Sequence, residues 1–267
     1  MSIEALVFDV DGTLADTEEL HRMAFNLAFD ALGLGWHWRQ SDYRALLAIT
    51  GGKERMAAYI ESLPLSPSER RRLHDQVPAI HAAKTQHYTD IARRGGIALR
   101  TGVLRLLDEA ERAGLRLAIA STTTAVNIDA LLQATLGPRG LSRFDVIACG
   151  DQVRAKKPAP DIYRLALDTL GVPPERAIAI EDSPNGLRSA RAAGLWTLVT
   201  PTFWTEDGDF SGAGLVLPSL GDPGQPIAGE PGTALSDAAW LGVDELVRRA
   251  TAPPTVNAVQ ALYRVEG

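Results

Sequence analysis

Two aspartates two residues apart, Asp9 and Asp11, close the first apolar run in the string Phe8-Asp9-Val10-Asp11-Gly12-Thr13-Leu14. Two like charges at the end of a buried strand are costly unless a cation, a shared proton or both relieve them. With oxygen ligands alone, and no Cys or His adjacent, the cation that suits such a pair is Mg²⁺. The same string also reads as an ordinary Asp-Gly turn with Asp9 as a cap, and a bare DxDG does not decide between the two.

Three more polar clusters follow apolar runs. Ser121-Thr122-Thr123-Thr124 offers hydroxyls and helix-start amides to a phosphate; it serves equally well as a helix N-cap. In Lys156-Lys157-Pro158-Ala159-Pro160-Asp161, the proline pushes Lys157 towards an extended backbone, and Pro160-Asp161 opens a helix. A lysine held this way neutralises a phosphate and a carboxylate at once, whereas the plain reading is two solvated lysines. Glu181-Asp182-Ser183-Pro184 is a second acidic pair or a second helix cap. Each cluster is ambiguous alone. Together they stand at the carboxyl ends of successive strands, where open parallel sheets bind ligands, and converge on one point.

The elements that would place them there are legible as a pattern. Apolar runs at 3–10, 115–120, 144–149, 177–180, 196–199 and 215–217 alternate with amphipathic stretches at 103–113, 125–134, 160–170, 184–193 and 240–250. That alternation predicts an α/β fold: a Rossmann-like parallel sheet covered on both faces. From 17 to 90 no strand pattern appears, and helices are expected at 17–33, 41–48, 52–62 and 66–92. An insertion after the first strand stands over the ligand end of the sheet. The chain therefore divides into a core of 1–16 and 91–267 and a small helical cap of 17–90, with hinges expected at 14–17 and 86–94. At about 100° per residue, Leu20, Met23, Leu27, Ala31 and Leu34 share one face of the first cap helix, read as its core face. Glu18, His21, Arg22, Phe25 and Phe29 share the other, read as closing over a polar site. The aromatics Phe25, Phe29, Trp36 and Trp38 read individually as packing residues. The stretch 208–232 is dense in glycine and proline, which predicts loops.

Composition excludes several function classes. The 267 residues carry 27 basic and 33 acidic side chains, net −6, and 45% are hydrophobic. Such a chain is not broadly disordered and is a poor sequence-independent nucleic-acid binder. The single cysteine rules out an intramolecular disulfide and a Cys-based zinc site. No apolar run approaches the roughly 18 residues of a membrane span. The N-terminal string MSIEALVFDVDG lacks a basic n-region and a cleavage pattern. The expectation is a cytoplasmic protein with no nucleic acid, no membrane and no obligate protein partner.

The four clusters, Asp9-Val10-Asp11-Gly12-Thr13, Ser121, Lys157 and Glu181-Asp182, resemble in order the four motifs of haloacid-dehalogenase-superfamily phosphatases and frame nearly the whole core. The helical insertion matches that family's small cap. A closer resemblance is to the CbbY-like phosphatases. It rests on Ala15-Asp16-Thr17-Glu18-Glu19 with His21, Phe25-Asn26 with Phe29, Gly33-Leu34 with Trp36 and Trp38, and Tyr43 with Leu46-Leu47. It continues through Gly51-Gly52-Lys53-Glu54-Arg55, Arg100 and Val199-Thr200-Pro201.

The resemblance implies a Mg²⁺-dependent phosphatase for a small phosphorylated sugar, acting through an aspartyl-phosphate. The implied substrate is xylulose 1,5-bisphosphate, an inhibitor of Rubisco in the Calvin cycle. It implies Asp9 as nucleophile, Asp11 as acid and base, and Ser121 and Lys157 holding the phosphoryl group. The implied metal ligands are Asp9, the carbonyl of Asp11 and Asp182, with Glu181 a further ligand or a partner of metal-bound water. Glu18 and His21, three apart on one helix, present together to substrate. Tyr43, Gly52, Lys53, Arg55 and Thr122 are the remaining substrate-binding candidates. His37, His74, His81, His87 and Cys149 receive no role.

A phosphomutase of β-phosphoglucomutase type shares the same motifs and cap, and a phosphoglycolate phosphatase is a further alternative. A signalling receiver shares the acidic cluster, hydroxyl and lysine, but is too short and carries no cap after its first strand.

Overall fold

Four consecutive apolar residues with burial on both faces make β1 (Ala5–Phe8) the centre of the protein. The computed structural model describes residues 2–95, 97–227 and 240–252. After β1 come four helices: α1 (Glu18–Ala31), α2 (Gln40–Leu46), α3 (Gly52–Ser62) and α4 (Pro67–Arg93). The core then resumes with α5 (Val103–Arg112), β2 (Arg116–Ala120), α6 (Ala125–Leu136), β3 (Val146–Ala148) and α7 (Asp161–Leu170). It ends with β4 (Ala177–Glu181), α8 (Pro184–Ala192), β5 (Trp196–Val199), β6 (Leu215–Val216) and α9 (Val243–Thr251). The strands form one sheet in the order β3-β2-β1-β4-β5-β6, with parallel pairing throughout.

Side-chain alternation divides the core into two layers. On one face Leu6, Phe8, Leu117, Ile119, Ile178 and Ile180 pack against α5, α6 and α9. On the other, Ala5, Ala118, Ala120, Ala177 and Ala179 let α7 and α8 approach closely through Ile162, Tyr163 and Ala190. The cap has its own core of Phe25, Phe29, Trp38, Tyr43, Met56 and Ile60. α4 begins with a capping box in which Ser66 and Glu69 exchange side-chain and backbone bonds.

The expected elements are present with shifted ends. The first apolar run, 3–10, yields only Ala5–Phe8 as strand, because residues 9–12 turn away to form the site. The 240–250 helix begins instead at Val243, and the final cap helix runs to Arg93.

One expectation is overturned. The supposed core face of α1 points outward: Met23 is 42% and Leu27 43% exposed. The buried face carries His21, Ala24, Phe25, Asn26, Ala28 and Phe29. Two phenylalanine rings bury more apolar area than Met and Leu, and they meet Trp38 and Tyr43, which lie elsewhere in the chain. The helical phase gives two faces and does not rank them.

The 208–227 part of the Gly/Pro-rich stretch is irregular except for β6 and a small bridge between Asp222 and Gln225. Residues 228–232 of that stretch lie outside the described residues.

Candidate active site

The strand order reverses between β1 and β4, so their carboxyl ends flank a crevice. Asp9 leaves β1 with its N–H donated to the Ile180 carbonyl at 3.0 Å. Glu181 ends β4 and Asp182 follows it. Carboxylate oxygens of Asp9, Glu181 and Asp182 lie within 4.8 Å of one another, and all three residues are buried. Gly12 makes this approach possible: its φ is +81°, and a Cβ there would overlap the Asp182 carboxylate. Gly186 does the same for Glu181.

Lys157 Nζ donates to Asp9 Oδ1 at 2.7 Å and to Glu181 Oε1 at 2.6 Å. Burial alone would lower this ammonium's pKa, but Asp9 and Glu181 together raise it above the ordinary lysine value. The Lys157–Pro158 bond is cis. Neighbouring Lys156 also lines the cavity, but its ammonium donates to the carbonyls of Gly150 and Val153. Glu181 is saturated. Tyr163 OH donates to Oε1 at 2.6 Å, while the Asp182 N–H and the Ser183 hydroxyl reach Oε2 at 3.2 and 3.5 Å.

Asp182 is not saturated. Among the described residues, the only side chain that donates to its carboxylate is Thr205, at 3.3 Å. Burial first, then Glu181 and Asp9, push its pKa well above the carboxylate range. Asp9 is raised to about 7 by burial, which Lys157 opposes and Glu181 and Asp11 reinforce. Two buried carboxyls driven towards protonation, one of them nearly unpartnered, form the donor set a divalent cation would relieve. The residues therefore fit a metal through Asp9 and Asp182, whereas the oxygens of Glu181 are already taken by protein donors.

Asp11 faces the cap. Its Oδ1 accepts from Thr17 at 2.6 Å and from His21 Nε2 at 2.8 Å. Burial would raise its pKa, but His21, Thr17 and Lys84 lower it to about 2. Behind it, Lys84 Nζ lies 2.5 Å from His21 Nδ1. With the lysine charged, the chain of donors runs Lys84 to His21 to Asp11. The imidazole also stacks on Tyr88, with centroids 4.3 Å apart. Burial lowers Lys84 to about 8, partly countered by Asp11.

The cap and core enclose a cavity of about 430 Å³. From the core it is lined by Asp9, Asp11, Ser121, Thr122, Lys157 and Asp182. From the cap it is lined by Glu18, His21, Gly52, Lys53 and Arg55. Tyr43 does not stand on the wall. It is fully buried, with its hydroxyl donating to Glu18 at 2.8 Å and accepting from Arg55 at 2.9 Å, so it braces two wall residues from behind. Burial lifts its pKa well above the usual phenol value, against the effect of Arg55.

Lys84 and His81 are among the wall residues that the sequence did not point to. Lys84 lies on the buried stripe Val77, Ile80, Lys84, Tyr88 of α4, and a lysine at that phase was the available signal. His81, given no role, also lines the cavity; burial and the nearby Lys84 and Lys53 hold its pKa down to about 4, so its ring is neutral.

Arg100 ties the loops together. It donates to the Gly12 carbonyl, to both the carbonyl and hydroxyl of Thr200, and to the carbonyls of Pro201 and Pro218.

Comparison with known proteins now gives this geometry a family. Residues 3–194 match the family described as haloacid dehalogenase-like hydrolase. The chain belongs to the haloacid dehalogenase-like hydrolases. Within them, it is 52% identical over 220 residues to Protein CbbY of Rhodobacter capsulatus, covering 82% of this chain and 95% of that protein. The crystal structure of CbbY from Rhodobacter sphaeroides in complex with phosphate is 52% identical, with a TM-score of 0.75 over 81% of this chain and 94% of the other. A mutant of that CbbY, crystallised with xylulose-(1,5)bisphosphate, is 51% identical with a TM-score of 0.76 over the same shares. The six-stranded parallel sheet with helices inserted after β1 is the fold of this hydrolase family, whose members use a divalent metal. No helix among the described residues is long and apolar enough to cross a membrane.

Proposed function

We propose that this hydrolase is a Mg²⁺-dependent phosphatase that dephosphorylates xylulose 1,5-bisphosphate. The observation that carries the reading is the convergence of Asp9, Lys157 and Asp182 on one buried point, in a chain about half identical to a CbbY crystallised with that sugar.

Asp9 attacks phosphorus in line and forms an aspartyl-phosphate, which divides the hydrolysis into two easier steps. Lys157 opposes the burial that drives Asp9 towards protonation, and with Ser121 it neutralises the incoming phosphoryl oxygens. Glu181 holds Lys157 in place. Asp9, Asp182 and the Asp11 carbonyl would hold Mg²⁺, which when bound offsets the repulsion between carboxylate and phosphate. Asp11, ionised and held by His21 and Thr17, is set as the base for the second step. In the first step it passes a proton to the leaving sugar oxygen, drawn through His21 from the direction of Lys84. Glu18 accepts sugar hydroxyls. Gly52, Lys53 and Arg55 face the distal phosphate, and Lys84 adds positive charge behind them. Thr122 lines the sugar path beside Ser121. Tyr43 acts through Glu18 and Arg55. The domain division at 17–90, with hinges at 14–17 and 86–94, lets the cap open for substrate. Removing a Rubisco inhibitor places the enzyme beside the Calvin cycle, in the cytoplasm.

Turnover in ¹⁸O water tests hydrolysis against group transfer. One ¹⁸O in each inorganic phosphate, with a xylulose monophosphate as co-product, is the expected result. No release of inorganic phosphate, with an isomerised sugar bisphosphate free of label as the product, would make the enzyme a mutase instead.

A further inference from the structure

The cap's hydrophobic core is completed by a residue that does not belong to the cap. Trp204, in the loop after β5, is 6% exposed and packs among Phe25, Trp38, Tyr43 and Met56. Its ring stands edge-on to Tyr43, with centroids 5.7 Å apart at 90°. Beside it, Arg44 of α2 pairs with Asp207 at 2.8 Å and lies over the Phe203 ring at 4.9 Å. The same loop is anchored in the catalytic core. Trp204 N–H donates to Thr202 Oγ1 at 3.1 Å, and Thr205 Oγ1 donates to Asp182 Oδ2 at 3.3 Å. Adjacent residues thus touch the carboxylate assigned to the metal and the ring that braces the cap wall.

We propose that Trp204 is a positioning residue that sets substrate specificity. Seated in the cap core, it fixes Tyr43, and through Tyr43 it fixes Glu18 and Arg55 at a set distance from Asp182. The proposal rests on the reading of the cavity as a sugar-bisphosphate site. Tyr43 is held at its hydroxyl by Glu18 and Arg55 and on its ring by Trp204. Without the indole, a void opens against the phenol ring, and both wall residues can shift. A substrate long enough to reach the metal centre and the cap wall together would feel that shift. An aryl phosphate, which needs only the transfer centre, would feel little of it. Opening the cap must withdraw Trp204 from the cluster or carry its loop along, so the same ring resists opening.

The test uses the full chain with Mg²⁺ and the variants Trp204→Ala and Trp204→Phe. KM and kcat are measured for xylulose 1,5-bisphosphate and for a generic aryl phosphate, and amide hydrogen exchange is followed over residues 43–55 without substrate. In Trp204→Ala the KM for the bisphosphate should rise about tenfold or more, while kcat/KM for the aryl phosphate changes by less than about threefold. Exchange over 43–55 should quicken, and Trp204→Phe, which keeps an aromatic edge, should recover most of both effects. A wild-type KM with wild-type exchange in Trp204→Ala would overturn the proposal, as would equal losses on the two substrates or a Phe variant no better than Ala. If the wild type hydrolyses neither substrate, the sugar-bisphosphate reading falls, and the exchange comparison still decides whether Trp204 fixes Tyr43.

Discussion

Asp182 is buried beside two other carboxylates and, among the described residues, receives one long side-chain hydroxyl contact. Asp182→Asn should therefore have two opposite effects. Without metal it removes buried like-charge repulsion and should raise the melting temperature. With Mg²⁺ the wild type should gain stability through binding, while the variant gains much less, its affinity reduced about tenfold or more. Thermal unfolding with and without Mg²⁺ reads both effects, and a metal-free variant less stable than wild type would contradict the account.

Lys84 gives a second prediction at this scale. Burial lowers its pKa to about 8 from 10.5, so the unfolded chain binds this proton more tightly than the folded one. The penalty is present in full below about pH 8, and stability contributed through this group rises from there to about 10.5. Lys84→Met should flatten that rise and leave the protein at least as stable at neutral pH, while phosphate release falls. Urea unfolding between pH 7 and 10 checks the sign. Asp9, Asp11 and Lys157 were legible in the sequence because the chemistry allows few residue types at those strand ends. Lys84, His81 and Trp204 were not, because only tertiary packing brings them to the cavity.

At the scale of elements, α1 shows what periodicity leaves open. Its two faces were legible and their order was not, since the deciding partners, Trp38 and Tyr43, come from later in the chain. Leu27→Glu, on the face first read as core, should change stability by less than about 0.5 kcal/mol, whereas Phe29→Ala should cost about 3 kcal/mol or more. Equilibrium unfolding of the two variants distinguishes the faces directly.

The irregular segment after β6 also has a mechanical explanation. Arg105 of α5 donates to Asp222 at 2.9 Å, to Gly221 O at 2.7 Å and to Leu220 O at 3.2 Å. It also reaches Glu109 at 2.9 Å and Leu241 O at 3.0 Å. Glycine and proline density announced loops there, but not that one arginine would gather them onto a helix. Arg105→Ala should cost about 2–4 kcal/mol in urea unfolding, because it strands several acceptors at once. Its kcat should stay near wild type, since Arg105 does not line the cavity.

For the whole molecule, the fold followed from the alternation of apolar runs and helical stretches, and the site followed from where those runs end. The strand order, with β1 and β4 adjacent, places Asp9 beside Glu181 and Asp182 across about 170 residues of chain. The cap walls were harder to read. Tyr43 proved to be a brace and His81 a wall residue, distinctions that depend on packing depth and not on residue type. The proposed reaction in this cavity is hydrolysis of xylulose 1,5-bisphosphate through Asp9. The most direct test is steady-state phosphate release with Mg²⁺ from xylulose 1,5-bisphosphate and ribulose 1,5-bisphosphate, with phosphoglycolate and β-glucose 1-phosphate as comparators and Asp9→Asn as the blank. The kcat/KM for xylulose 1,5-bisphosphate should exceed the others at least about tenfold, roughly 1.4 kcal/mol of discrimination, with no release by the variant. Equal activity across the panel would contradict the substrate, and undiminished release by Asp9→Asn would contradict the mechanism.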